Sequence, residues 1–325
     1  MKSLARQGLF ALALAACTAA WADPAIIYDM GGKFDKSFNE AGFRGIEKWK
    51  KDTGKPFLEF EIAAETQREQ ALRRMAEKGA NPIIAIGFSQ ASAVEKVSKE
   101  FPKINFTIID QVVKAPNVQS VLFKEHEGSF LVGMIAALVS KTGKVGFIGG
   151  MDIPLIRKFQ CGYEQGVKYA NPKAEVFANM TGTTAAAWAD PARGAELARS
   201  QFSKGVDVVF AAAGGTGVGV YQAAKDAGKL AIGVDSNQNH LQPGTMLTSM
   251  LKRVDTAVYQ VATQGAKPGV TVLGLKESGV DYALDEHNTK LVTPEMKKKV
   301  DAAKADIIAG KIKVADYMAD NACKI

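Results

Sequence analysis

From residue 25 onward, short apolar runs alternate with amphipathic stretches. The runs are Ala25 to Tyr28, Phe57 to Ile62, Pro82 to Ile86, Asn105 to Ile109, Lys144 to Ile148, Glu175 to Ala178, Val206 to Ala211 and Leu230 to Val234. The first four carry β-branched or aromatic residues without sustained alternation, as strands covered on both faces do. Helical spacing fills the intervals: Phe38 to Lys51, Gln67 to Lys78, Gln90 to Glu100, Glu127 to Val139, Pro154 to Ala170, Asp190 to Lys204 and Gly217 to Ala227. Repeated β-α-β of this kind predicts an α/β protein with parallel sheet. The pattern occurs as two series, with the helix from Glu127 as the passage between them. After Val234 it changes to a strand at Met246 to Met250, a helix at Lys252 to Gln264, and strands at Thr271 to Leu275 and Val280 to Leu284. That order predicts a chain returning to its first lobe through a hinge of several segments. The expected division is 23–124 with 247–270 as lobe 1, and 125–246 with 271–325 as lobe 2.

The start of the chain bears on where it works. Lys2 and Arg6, the apolar run Leu9 to Ala16 and the small-x-small pattern Ala20-Trp21-Ala22 predict a signal peptide over residues 1–22 and a periplasmic product. Leu14-Ala15-Ala16-Cys17 competes with that cleavage site, since it fits a lipoprotein box in which Cys17 is lipidated. The short distance from Cys17 to the first strand favours the soluble form. Phe130 to Val139, the most apolar later stretch, has the length of a buried helix segment rather than a span. About 300 residues remain after the leader, enough for two domains of ~150.

Charge excludes little but nucleic acid. The chain has 41 Lys+Arg against 34 Asp+Glu, a net +7, and removal of Lys2 and Arg6 leaves +5. The bases are interleaved with acids, as in Glu47-Lys48-Trp49-Lys50-Lys51-Asp52, so they read as solvated helix faces; Lys297-Lys298-Lys299 is the one cluster. Beyond Cys17, the cysteines are Cys161 and Cys323. In an oxidising compartment they can form one disulfide tying the tail to the body, the alternative being two free thiols. His126, His240 and His287 are far apart and no CxxC occurs, so no metal site is expected.

Candidate binding residues gather where strands end. Asp29 to Asn39 is a strand-to-helix turn holding an acid, Gly31-Gly32, and then Ser37-Phe38-Asn39 at the helix start. Asp110 and Asp235 also end apolar strands. One such acid is often a cap, but three at the open ends of sheets suit charge-assisted bonds to a small ligand. Gly214-Gly215-Thr216-Gly217-Val218-Gly219 follows a strand, yet it lacks the spacing of a dinucleotide loop and no phosphate-loop lysine motif occurs, so no cofactor is expected. Phe38 and Trp188 are aromatic candidates; most aromatics are core, but Trp188 lies in a loop ahead of Asp190-Pro191.

In combination, these motifs resemble the basic membrane protein family. They are the Asp29 to Asn39 turn, Gly149-Gly150-Met151-Asp152-Ile153-Pro154 with Phe159 and Gly162, Trp188-Ala189-Asp190-Pro191 with Gly194, Gly205 to Phe210, Gly215 to Gly219, Ile232 to Gln238 and Thr248 to Lys252. Members are substrate-binding proteins of bacterial ABC importers, similar to purine nucleoside receptor lipoproteins. The resemblance covers nearly all of the mature chain. It implies a type I periplasmic-binding-protein fold, two doubly wound lobes joined by three crossovers, closing on a nucleoside, with a purine expected. Phe38 and Trp188 would sandwich the base and Asp110 would bond its polar edge. Asp235, Lys252 and backbone at Gly214 or Gly215 would hold the ribose, while Asp29, Ser37 and Asn39 would complete the first lobe's wall. The chain departs from the family at Trp188, where Phe is usual, and at Asp235-Ser236-Asn237-Gln238, where Asn237 replaces an acid.

The resemblance implies a monomer that is not an enzyme and hands its ligand to a membrane permease. The sequence has no nucleophile-base arrangement to set against that. A nucleoside hydrolase using the strand-end acids, or a lipid-anchored sensor or surface protein, are the alternatives.

Overall fold

A computed structural model describes residues 22–323 and 325. The signal peptide apart from Ala22, and the lipidation candidate Cys17, lie outside the described residues.

The first series builds β1 (Ala25–Tyr28), α1 (Phe38–Thr53), β2 (Leu58–Glu61), α2 (Arg68–Glu77), β3 (Ile83–Ala85), α3 (Ala91–Glu100), β4 (Phe106–Ile109) and β5 (Val118–Phe123). β1, β3 and β4 are buried at every position, as the unalternating runs predict. The second series follows as α4 (Glu125–Val139), β6 (Lys144–Met151), α5 (Pro154–Ala170), β7 (Glu175–Gly182), α6 (Pro191–Ser203), β8 (Val208–Ala212), α7 (Gly217–Asp226), β9 (Leu230–Asp235) and β10 (Met246–Lys252). The chain ends with α8 (Val254–Gln264), β11 (Gly269–Leu273), β12 (Val280–Tyr282) and α9 (Pro294–Ile308).

Two six-stranded sheets result, ordered β2-β1-β3-β4-β5-β11 and β7-β6-β8-β9-β10-β12. Every pairing is parallel except β12 on β10. Each sheet therefore reverses direction between its first strand and its third, β1/β3 and β6/β8. A crevice opens at such a switch point, outside the carboxyl ends of the strands.

The expected lobe boundaries need correction at two strands. β10, assigned to lobe 1, pairs with β9 in the second sheet, and β11, most of which was assigned to lobe 2, pairs with β5 in the first. The chain changes sheet between β5 and α4, between β10 and α8, and between β11 and β12. Helix α8 does return to the first lobe, packing on α1 so closely that a Cβ at Gly45 would lie 2.3 Å from the Asp255 carbonyl oxygen.

Two elements are absent from the sequence reading. β5 is interrupted by Gln119 and Ser120, which are buried yet bonded: Gln119 donates to Thr271 Oγ1 and accepts from Lys267 N, and Ser120 Oγ accepts from Val113 N. α9 hides its apolar stripe, Val300, Ala303 and Ile307, behind the lysine cluster, where Lys297 pairs with Asp301 and Lys299 with Glu295. Cys161 on α5 is joined to Cys323, with Cα atoms 5.4 Å apart. Among the described residues no helix is long and apolar enough to cross a membrane.

Candidate functional site

The ends of β1, β3 and β4 meet those of β8, β9 and β10 around a cleft of about 610 Å³, counted with its open mouth. This is the position of a small-molecule site in an open α/β sheet. Asp29, Phe38, Asn39, Asp110, Trp188, Gly214, Asp235 and Lys252 all line it. Ser37 and Gly215 are not part of the lining.

The first lobe's turn is largely bonded to itself. Asn39 accepts from Asp29 N at 3.1 Å and donates to the carbonyls of Asp29 and Gly32 at 3.1 and 3.2 Å. The Asp29 carboxylate accepts from Ser89 Oγ at 2.5 Å and from Met30 N at 2.8 Å, with Arg68 at 3.5 Å. Asp35, absent from the sequence candidates, accepts from the N–H groups of Ser37, Asn39 and Glu40 and so caps α1. Burial raises its pKa to about 6, against those three bonds. Asp29 and Asn39 thus shape the wall, with their polar atoms committed to the turn and to Ser89.

Ser37 bridges the lobes. Its hydroxyl donates to Asp235 Oδ2 at 2.6 Å and its carbonyl accepts from Ser236 Oγ at 2.7 Å. Arg44 donates to Ser236 Oγ, and Gln238 donates to the Lys36 carbonyl at 2.9 Å. The lobes are latched closed by their own groups. Ser37→Ala is expected to weaken closure by about 1 kcal/mol, the net worth of one such bond, and small-angle scattering of the ligand-free variant would show an expanded population.

The floor of the cleft is charged. Asp110 and Asp235 leave their strands in left-handed backbone, φ 74° and 62°, a conformation Asp tolerates better than most residues and one that clusters at functional sites. Lys252 Nζ, at the end of β10, lies 2.5 Å from Asp110 Oδ2 and 2.9 Å from Glu125 Oε1. It also stands 5.1 Å from the Phe38 ring centroid and 5.6 Å from that of Phe159. Burial works to lower the lysine's pKa, but Asp110, Glu125 and Asp235 outweigh it and hold the ammonium charged. Burial raises Asp110 and Asp235 to about 6 each, with Lys252 opposing. Asp110 Oδ1 is buried and finds no hydrogen-bond donor among the described residues.

Trp188 ends a single helical turn, Ala185–Trp188, and reaches the cleft from the second lobe while Phe38 reaches it from the first. Its ring lies against Gly150 at the end of β6, where a Cβ would sit 2.1 Å from Cζ3. The sequence candidates also omit Phe88 and Ile156 in the lining, give Phe159 no role, and omit Glu125 and Lys158 behind Lys252. The amphipathic pattern of α5 could have offered Phe159; a buried Lys-Glu pair made by two separate helices leaves no local signal.

Two doubly wound lobes, bonded across a lined cleft, define the class of two-lobed solute-binding proteins. The sequence pattern of the family described as ABC transporter substrate-binding protein PnrA-like matches residues 24–317, and the chain belongs to that family. It is 36% identical to a CD4+ T-cell-stimulating antigen of Listeria monocytogenes, over 90% of this chain and 87% of that protein. It is 34% identical to the ABC transporter nucleoside-binding protein BmpA of Lactococcus lactis, over 89% and 88%. A crystal structure of an ABC transporter solute-binding protein from Aeropyrum pernix superposes with a TM-score of 0.81 at 29% identity, over 90% of this chain and 92% of that one.

Proposed function

We propose that this protein is the extracytoplasmic receptor of an ABC importer, binding a nucleoside, by preference a purine, between its lobes. It then presents the closed form to an inner-membrane permease, acting as a monomer and leaving the ligand chemically unchanged. One observation carries the reading: rings from opposite lobes, Phe38 and Trp188, share a cleft with the buried, donor-less Asp110 Oδ1. A planar base offers two faces to stack and an N–H at its edge for the carboxylate. Asp235 and Lys252 supply an acceptor and a donor for hydroxyls. Gly214, at the end of β8, brings backbone to the same wall. The nucleoside named for the Lactococcus relative supports the same choice.

A melting screen of nucleosides, bases, sugars and amino acids tests it. A purine nucleoside at a hundred times its Kd is expected to add about 2.7 kcal/mol of stability; a screen in which only sugars or amino acids raise the melt would overturn the reading. Affinity is expected to fall as pH drops through about 6, because Asp110 then takes a proton and loses its acceptor charge. Calorimetric titrations at pH 8 and pH 5 would read this. The proposed export signal, residues 1–22, gives a soluble periplasmic protein, and the mass of the mature N-terminus separates it from a form anchored through Cys17.

A further inference from the structure

Behind the cleft the charges continue outward. Glu125 opens α4 with its side chain 1% exposed; Oε1 faces Lys252 and Oε2 lies 2.9 Å from Lys158 Nζ. Lys158, one residue before Phe159 on α5, donates to the Phe123 carbonyl at 2.7 Å and stands 3.6 Å from Asp316 Oδ2. Asp316 belongs to the C-terminal segment, which the Cys161–Cys323 disulfide and two hydrogen bonds between Gln165 and Ala315 hold on α5. Sign alternates at every step from Asp110 through Lys252, Glu125 and Lys158 to Asp316.

A lysine ammonium on a flexible stem is aimed only by acceptors fixed in more than one direction. Asp110 supplies one and Glu125 the other. A carboxylate as buried as Glu125 becomes neutral unless cations offset its desolvation. Lys158 is the second such cation.

We infer that Glu125 and Lys158 are positioning residues for the ligand site: neither lines the cleft, and Lys158 acts through Glu125 to aim Lys252, with Asp316 of the disulfide-tied tail bracing the outer end. Burial alone would raise Glu125, but Lys252 and Lys158 together bring it down to about 2. The other groups facing this chain are Asp235 at the cleft end, and His126 with Glu127 on α4. Burial first, and Lys158 next, hold His126 towards its neutral form. The inference rests on the proposed reading only in giving Lys252 to the ligand, since the ammonium's placement can be read without one.

The test compares wild type, Lys158→Met and Lys158→Arg as the mature, oxidised protein. The first readout is the ¹H–¹⁵N signal of the Lys252 ammonium in ligand-free protein from pH 8 to pH 5; the second is affinity for inosine over the same range. In Lys158→Met, Glu125 is expected to take up a proton within this window, displacing the Lys252 signal on acidification. Inosine binding should then weaken at least tenfold more than in wild type at pH 5. Lys158→Arg should restore both. A Lys158→Met protein whose melting temperature falls while the Lys252 signal keeps its wild-type pH course would make Lys158 a mere brace and overturn the inference. Should Lys158→Met not fold, Asp316→Asn on the half-buried tail is expected to displace the signal in the same direction by less, and no displacement would overturn it. If wild type does not bind inosine but the signal moves in the methionine variant and recovers in the arginine one, the inference stands and the nucleoside reading falls. If all three bind inosine alike with an unmoved signal, the reverse holds.

Discussion

Lys252→Met is expected to lower the unfolding free energy by about 3–5 kcal/mol at pH 8, the cost of leaving buried partners unpaired, and to abolish tight ligand binding. Its ammonium faces two carboxylates, Asp110 and Glu125, whose side chains are 4% and 1% exposed. Methionine fills similar space but leaves both acids with less cation than they need. The pH dependence separates this cause from lost packing. Asp110 stands at about 6 in the folded protein, burial raising it and Lys252 opposing, against ~3.9 when unfolded. Between those values the folded state holds the extra proton, so this contribution is present at low pH and is lost as pH rises through about 6. Removing Lys252 takes away the main opposing charge, lifts Asp110 further, lets Glu125 rise from its lowered value, and extends the window of proton uptake upward. The variant's deficit should therefore shrink as pH is lowered from 8 to 5. Urea unfolding of both proteins at the two pH values measures it; a deficit that holds constant would assign the loss to packing. Adding Asp110→Asn to Lys252→Met should recover part of the stability at pH 8, since it removes one of the stranded charges.

The fold was legible because its strands are short, apolar and bounded by turn residues, and because the helices between them show a clear face. What escaped was pairing across long separations. Nothing near Met246 distinguishes a strand that extends the second sheet from one that opens a return to the first; β9 on one side and β12 on the other decide it. β5 is obscured by Gln119 and Ser120, and the partners that satisfy Gln119, Thr271 and Lys267, lie some 150 positions later. At the site the strand-end acids were visible as a class, but their differences were not. Asp29 is closed off by Ser89 and Met30, while Asp110 keeps a bare oxygen, and only the neighbours tell them apart. Ser37 looked like a wall residue and is a latch for the same reason: its partner, Asp235, is 198 positions away.

The cleft's second aromatic depends on a glycine in a different strand, and Gly150→Ala is expected to cost about 1–3 kcal/mol of ligand affinity, as overpacking a filled site does. The backbone that carries Trp188 cannot yield, because the Ala187 carbonyl accepts from both Thr181 Oγ1 and Thr216 Oγ1 and Asp190 N donates to the latter. The ring must move instead. An added Cβ would lie 2.1 Å from Cζ3, 2.5 Å from Cε3 and 2.9 Å from Cη2, all in the six-membered ring of the indole. Phenylalanine at 188, the residue usual in the resembling family, lacks those fused-ring atoms, so Gly150→Ala combined with Trp188→Phe should bind better than Gly150→Ala alone. Trp188→Ala by itself should lose about 1–3 kcal/mol, the worth of a base stacked on an aromatic platform. Trp49 is buried far along α1 from this cleft's lining, so in protein expressed from residue 23 onward ligand-induced change in tryptophan fluorescence reports on Trp188. Gly150→Ala with a wild-type fluorescence response and affinity would mean that the ring does not need the space over β6, and that its stacking face is set by the Ala185–Trp188 turn alone.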